Sequence, residues 1–187
     1  MKKKESGRLK GAAFIGMLFF AAASFININA VGQSDTATVT IQQILDAHNA
    51  YRNEVGVPAL TWSNDLAQFA QSWANELATN RGCVLQHRPN DESDPWNQKY
   101  GENIYAAGGT DWSPTVLDGI ADWGTEKSDF DFDTKECKNG AVCGHYTQMI
   151  WKSTTMVGCG IAKCPGGNVI VVCNYNPPGN YVGEKPY

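Results

Sequence analysis

Three histidines are the side chains of this chain whose unperturbed titration falls near neutral pH, and their neighbours set what they can do. His145 stands in Gly144-His145-Tyr146-Thr147-Gln148-Met149-Ile150-Trp151, where an imidazole borders hydroxyls, an amide and a short apolar run. His87 follows Cys83 by four residues and precedes Arg88, and His48 opens His48-Asn49-Ala50-Tyr51-Arg52. A second dense segment, Cys173-Asn174-Tyr175-Asn176-Pro177-Pro178-Gly179-Asn180, ends an apolar stretch at a cysteine and then turns. On the nucleophile side the chain is bare: it has no GxSxG elbow and no HExxH helix, and Ser153 and Thr147 are near His145 only in sequence. The chemistry indicated is binding rather than covalent catalysis, and no enzymatic activity is expected.

The elements that must position these residues follow from periodicity and breakers. Ile41, Ile44, Leu45, His48, Tyr51, Arg52 and Val55 recur at helical steps from Thr40, and Gly56 and Pro58 end that helix. On such a helix His48 is read as a packing residue that finds a hydrogen-bond partner, not as part of a site. Ser63 or Asn64 caps a second helix striped by Leu66, Phe69, Ala70, Trp73 and Leu77, closed by Gly82. Residues 88–100 are a polar loop with Pro89 and Pro95 as breakers, and Ile104-Tyr105-Ala106-Ala107 is a short apolar run. Ser113-Pro114 starts a third helix with Val116, Leu117, Ile120 and Trp123 on its apolar face. A short helix is predicted over Tyr146 to Trp151, and strands over Met156 to Ala162 and Val169 to Asn174, parted by Pro165-Gly166-Gly167. Trp73, Trp123 and Trp151 fall on apolar faces, whereas Trp96 and Trp112 lie in loops as candidates for an exposed rim. Helices first and a two-strand unit last predict an α+β fold, with helices on both faces of a small antiparallel sheet.

The N-terminus reads as a secretory signal over residues 1–30: Lys2, Lys3, Lys4, Arg8 and Lys10, then an apolar run from Gly11 to Ile26, with Ala30 or Ser24 as the cleavage position. Residues 31–39 form a small, polar leader, and 40–187 the domain. Residues 1–30 hold five of the fifteen Lys and Arg and one of the nineteen Asp and Glu, leaving ten against eighteen, a net charge of −8. That balance excludes nucleic acid as a partner and disfavours anionic lipid surfaces. No stable membrane span is expected after signal cleavage, and the protein is expected to be secreted and monomeric. The six cysteines, Cys83, Cys137, Cys143, Cys159, Cys164 and Cys173, are an even count with no CxxC pair, which in a secreted chain reads as disulfides rather than zinc thiolates. Spacing alone does not choose among their pairings.

The two dense segments resemble the signature motifs of the CAP superfamily: cysteine-rich secretory proteins, antigen-five proteins and plant pathogenesis-related proteins of class one. The resemblance runs from about His48 to Tyr187 and is nearest in pattern to the plant proteins. It implies an α-β-α sandwich stapled by Cys83–Cys164, Cys137–Cys143 and Cys159–Cys173. It also implies a central cleft of two His and two Glu. His87 matches the His of Cys-x-x-x-His, Glu102 the Glu of Gly-Glu-Asn, Glu126 the Glu after the Trp-x-x step, and His145 the His of Gly-His-Tyr-Thr-Gln. Such a set can bind a divalent cation, zinc foremost, carry acid–base chemistry, or satisfy its own hydrogen bonds across the cleft. The resemblance further implies a non-enzymatic binder of a sterol or fatty acid in an apolar groove, in a defence setting. Its alternatives are a metal-dependent hydrolase using the same four residues and a precursor that releases a C-terminal peptide, Pro177 to Tyr187. One departure stands out: plant members have a very short step between the cleft His and Gly-Glu-Asn, whereas here the loop from Arg88 to Gly101 intervenes, with Asp91, Glu92, Asp94 and Trp96.

Overall fold

The computed structural model describes residues 39–108 and 114–187. The expectations for the signal, for most of the leader, and for Trp112 and Ser113 lie outside the described residues. Helix α1 (Ile41–Glu54) is capped by Thr40, whose hydroxyl accepts the Gln43 amide while the Gln43 side chain accepts the Thr40 N–H, a reciprocal box. A two-residue strand β1 (Thr61–Trp62) leads to α2 (Asn64–Thr79), capped by Ser63. Strand β2 (Gly101–Ala107) follows the polar loop, and α3 (Val116–Thr125) then runs into a single 3-10 turn, Glu126–Asp129. Strands β3 (Phe130–Asp131) and β4 (Glu136–Cys137) make a small hairpin. Helix α4 (Gly144–Met149), β5 (Met156–Lys163) and β6 (Val169–Asn176) complete the order.

The main sheet runs β1-β5-β6-β2, antiparallel throughout except for β1, which pairs parallel with β5. Strand alternation divides β6 between two cores. Ile170 and Val172 join Ala70, Trp73, Ala74, Leu77 and Ala78 of α2 on one face. Val171, Cys173 and Tyr175 join α1, α3 and α4 on the other, through Ile44, Ile120, Trp123, Tyr146 and Met149. Because both faces are covered, β6 reads as an unbroken apolar run rather than an alternating one. The result is the predicted α-β-α sandwich. Helix α2 lies so close to β5 that a Cβ on Gly158 or Gly160 would overlap its backbone at Leu66, Ala67 and Gln71. The Gln71 side chain then closes the seam, donating to the Ile161 carbonyl at 2.8 Å and accepting the Ile161 N–H at 3.1 Å.

The disulfides join Cys83 to Cys164, Cys137 to Cys143 and Cys159 to Cys173, the pairing the resemblance implied. Some boundaries differ from expectation. Thr115, not Ser113, caps α3, because Asp118 reaches back to the Thr115 N–H and hydroxyl and completes a second box. Helix α4 begins at Gly144 and stops at Met149, so His145 lies in its first turn rather than ahead of it. Helix α2 ends at Thr79 with Asn80 as its cap, and Gly82 takes a left-handed turn beyond it. Trp96 is not an exposed rim: it is half-buried, tilted against Trp73 with ring centres 5.5 Å apart.

Candidate functional site

The four residues assigned to the cleft form two His–Glu pairs. Glu102 and Asn103 are consecutive on β2, so their side chains leave the sheet on opposite faces. Glu102 pairs in register with Asn174, on the face that carries α2. Its fully buried carboxylate takes the His87 Nδ1 at 3.0 Å and the Arg88 N–H at 3.1 Å on one oxygen. The other oxygen accepts from the Asn174 side-chain amide at 3.3 Å. The second pair belongs to the opposite layer. Glu126, where α3 ends, accepts the His145 Nδ1 at 2.7 Å on Oε1 and the His145 and Tyr146 N–H groups at 2.8 and 3.1 Å on Oε2. A carboxylate from another element thus satisfies the first-turn amides of α4, which has no side-chain cap of its own. Burial pushes the Glu126 carboxyl up, but these hydrogen bonds outweigh it and hold the group below the usual carboxylate range.

Both imidazoles line one cleft of about 260 Å³ at this end of the sheet, with Glu102, Asn103, Val142 and Asn180. His87 is more than half exposed there, and His145 stacks near-parallel to Trp123, ring centres 6.1 Å apart. Glu126 does not line the cleft; it lies behind His145. Among the described residues no group of three or more His, Cys, Asp and Glu is arranged to hold a metal ion.

A buried network fixes the cleft from behind. His48 Nδ1 donates to the Ile44 carbonyl at 2.9 Å, which leaves Nε2 to accept the Tyr175 hydroxyl at 3.0 Å. Asn103 donates to that same hydroxyl at 3.3 Å and to the His145 carbonyl at 3.0 Å. Complete burial lowers the His48 pKa to about 4, so this imidazole is neutral, as its packing role requires. Arg52, one turn further on, is also fully buried and faces no carboxylate in this network. Its guanidinium donates to the carbonyls of Pro58 (2.6 Å), Met149, Trp151 and Thr154 (each 2.9 Å) and so closes the C-terminal end of α4. Arg88, beside the Glu102–His87 pair, lies over the Phe69 ring at 3.7 Å and donates to the Phe69 carbonyl and Ser72 hydroxyl. Sequence reasoning did not single out Arg52, Arg88, Asn103 or Tyr175 as supports. The one available signal was that Arg52 shares a helical stripe with His48.

A separate cavity of about 360 Å³ opens between the N-terminal ends of α1 and α3. Ile41, Ile44, Trp62, Val116 and Ile161 supply its apolar walls and Gln71 its polar edge. The segment from Pro177 to Tyr187 is built into the fold. The Pro177 carbonyl accepts the Thr154 hydroxyl, Gly179 donates to Gln148, and Asn180 bonds both Thr147 and Gly144. Further on, the Pro186 carbonyl accepts the Lys152 N–H, and Tyr187 packs on the α1/α3/α4 core.

Comparison with known proteins gives consistent matches. The family model described as "CAP: Cysteine-rich secretory protein family" matches residues 45–175. Pathogenesis-related protein 1B of Nicotiana tabacum is 38% identical over 169 residues, covering 90% of this chain and 94% of the relative. Pathogenesis-related protein 1 of Arabidopsis thaliana is 39% identical over 149 residues, covering 78% and 81%. Among solved structures, venom allergen-like protein 4 of Schistosoma mansoni superposes with a TM-score of 0.57 at 26% identity, over 78% of this chain and 92% of that one.

Proposed function

The chain belongs to the cysteine-rich secretory protein (CAP) family, and from that premise we propose that it is a secreted, defence-related binding protein that holds a small apolar ligand of the sterol or fatty-acid type. The observation that carries this reading is the groove between α1 and α3, whose aliphatic and indole walls suit a hydrocarbon. The pathogenesis-related names of the relatives support the defence setting, and the basic and apolar N-terminus with three disulfides supports secretion.

The cleft adds the capacity for a divalent cation. Each imidazole has its Nδ1 engaged by a carboxylate, the arrangement that orients a metal-ligating histidine and raises the basicity of its other nitrogen. His87 and His145 would hold the ion, with Glu102 and Glu126 as orienting partners. A cation there would supply Lewis acidity to a polar ligand group. Two protein ligands make such a site weak. The reading is of a binder, not an enzyme: among the described residues, the one hydroxyl bonded to an imidazole is that of Tyr175 on His48, and both are fully buried.

The test is displacement of a fluorescent fatty acid and a fluorescent sterol from the intact protein. Ile161→Trp, which fills the groove, should weaken binding about tenfold or more, the effect of roughly 1.4 kcal/mol. Unchanged affinity sinks the groove assignment. Zinc calorimetry on His87→Ala/His145→Ala should show binding lost, and retained binding sinks the cation assignment.

A further inference from the structure

On the far side of the C-terminal segment lies a groove of about 350 Å³ that neither the apolar cavity nor the histidine cleft accounts for. Asn90, Gln98, Lys99 and Tyr100 form one wall, and Pro178 and Tyr181 the other. The first wall draws on both ends of the loop from Arg88 to Gly101. We infer that this groove binds a short acidic oligosaccharide, one whose sugar rings carry carboxylates.

The chemistry of the lining supports that class. A pyranose presents an apolar C–H face and a hydroxyl edge, so it needs an aromatic plane beside groups that both donate and accept. Tyr181 and Tyr100 supply the rings, and Pro178 a further flat apolar surface. The Asn90 amide offers a carbonyl and an NH2, and Gln98, whose NH2 also donates to the Tyr100 carbonyl at 3.2 Å, offers its carbonyl and its second N–H, which together match adjacent hydroxyls. Lys99 is the one charged side chain in the lining among the described residues, and no carboxylate accompanies it. The domain, residues 40–187, carries ten basic and seventeen acidic residues, so any pairing with an anionic ligand here must come locally, from the Lys99 ammonium meeting a ligand carboxylate. An extended peptide is the poorer fit, because peptides of that kind pair along a strand edge and none of the lining residues is in a strand.

The rings are held in advance of any ligand. Tyr181 is 48% exposed, yet its ring stands edge-on to the buried Trp151 with centres 6.3 Å apart. Two residues before it, Gly179 lies so close to the Trp151 indole that a Cβ would overlap it. Asn180 takes a left-handed φ of 58°, pinned by the Gly144 carbonyl and the Thr147 hydroxyl. Across the groove, Tyr100 packs edge-on against Phe69 at 5.1 Å. Rigid aromatic platforms lose little conformational entropy on binding, which is what a shallow site needs.

The experiment titrates the intact, oxidised protein with a galacturonic acid trimer and with its neutral methyl ester, followed by amide NMR shifts. The acid should bind more tightly than the ester, with the largest shifts at Lys99 and Tyr181. Tyr181→Ala should weaken binding about three- to tenfold, the equivalent of one aromatic contact. Lys99→Gln, at an exposed position that leaves the fold untouched, should erase the preference for acid over ester. Absence of binding, shifts located elsewhere, or equal affinity for acid and ester in the wild type each overturns the proposal.

Discussion

Replacing Glu126 by Gln tests the second His–Glu pair in both its structural and its binding roles. The carboxylate accepts three hydrogen bonds, two from first-turn amides of α4 and one from His145 Nδ1. A hydrogen bond to a charged group contributes about 1.5–3 kcal/mol and a neutral one about 0.5–1.5. The glutamine carbonyl can keep both backbone amides, each weakened by about 1 kcal/mol, and its NH2 then faces Nδ1. That last contact survives only if the imidazole changes tautomer, accepting at Nδ1 and carrying its proton at Nε2. The expected loss is about 2–4 kcal/mol at pH 7, together with loss of any cation binding, because a protonated Nε2 has no lone pair to offer. The pH dependence has a definite sign. Glu126 titrates below its ordinary value of 4.5 in the folded protein, so its contribution is present above that value and is lost as pH falls through the folded one. Denaturant unfolding followed by tryptophan fluorescence should show a gap between wild type and variant that narrows from pH 7 towards pH 2. A variant as stable as wild type at pH 7, or a gap that stays constant with pH, refutes the reasoning.

Two further outcomes follow from the buried network. Arg52→Met strips donors from four carbonyls and should cost about 3–5 kcal/mol, even though burial makes the guanidinium charge unfavourable and lowers its pKa to about 10. In a domain of this size that is a fall of roughly 6–20 °C in melting midpoint by calorimetry, and a fall under about 2 °C contradicts it. His48 has its pKa lowered from 6.5 to about 4, so the unfolded chain takes up the proton first and stability drops as pH falls across that interval, by about 3 kcal/mol in all. His48→Gln should flatten that limb of the stability profile, and an unchanged slope assigns the acid sensitivity elsewhere.

Local patterns were legible where local chemistry decides. The stripes of α1 and α2, the Thr40 start and the apolar run of β6 are all written in residues a few positions apart. Strand β1 was not legible, because two residues become a strand only when β5 arrives beside them. The start of α4 was misplaced for a similar reason: its cap is Glu126, on a different element. The four cleft residues were found through motif resemblance, but their division into two pairs depends on Glu102 and Asn103 facing opposite ways at the end of β2. Trp96 looked exposed in a polar loop. It is half-buried because Arg88, equally polar on paper, turns inward, with its guanidinium 5.5 Å from the Trp96 ring centre.

The sheet order also dictates when the molecule can fold as it is made. Strand β6 lies between β5 and β2, yet among the described strands it is the last to be synthesised. Until it emerges, β2 has no partner, α2 lacks half of its floor, and the other three helices have no central strand to pack on. Cys83 must likewise wait across 81 residues for Cys164. Long-range pairing of this kind is slow and leaves apolar surface uncovered in the interim. A nascent chain stalled before residue 169 would therefore present its apolar helix faces to chaperones, and a Cys159 thiol whose partner Cys173 has not yet been made to oxidoreductases. Completion of the fold thus waits on the last strand of the domain.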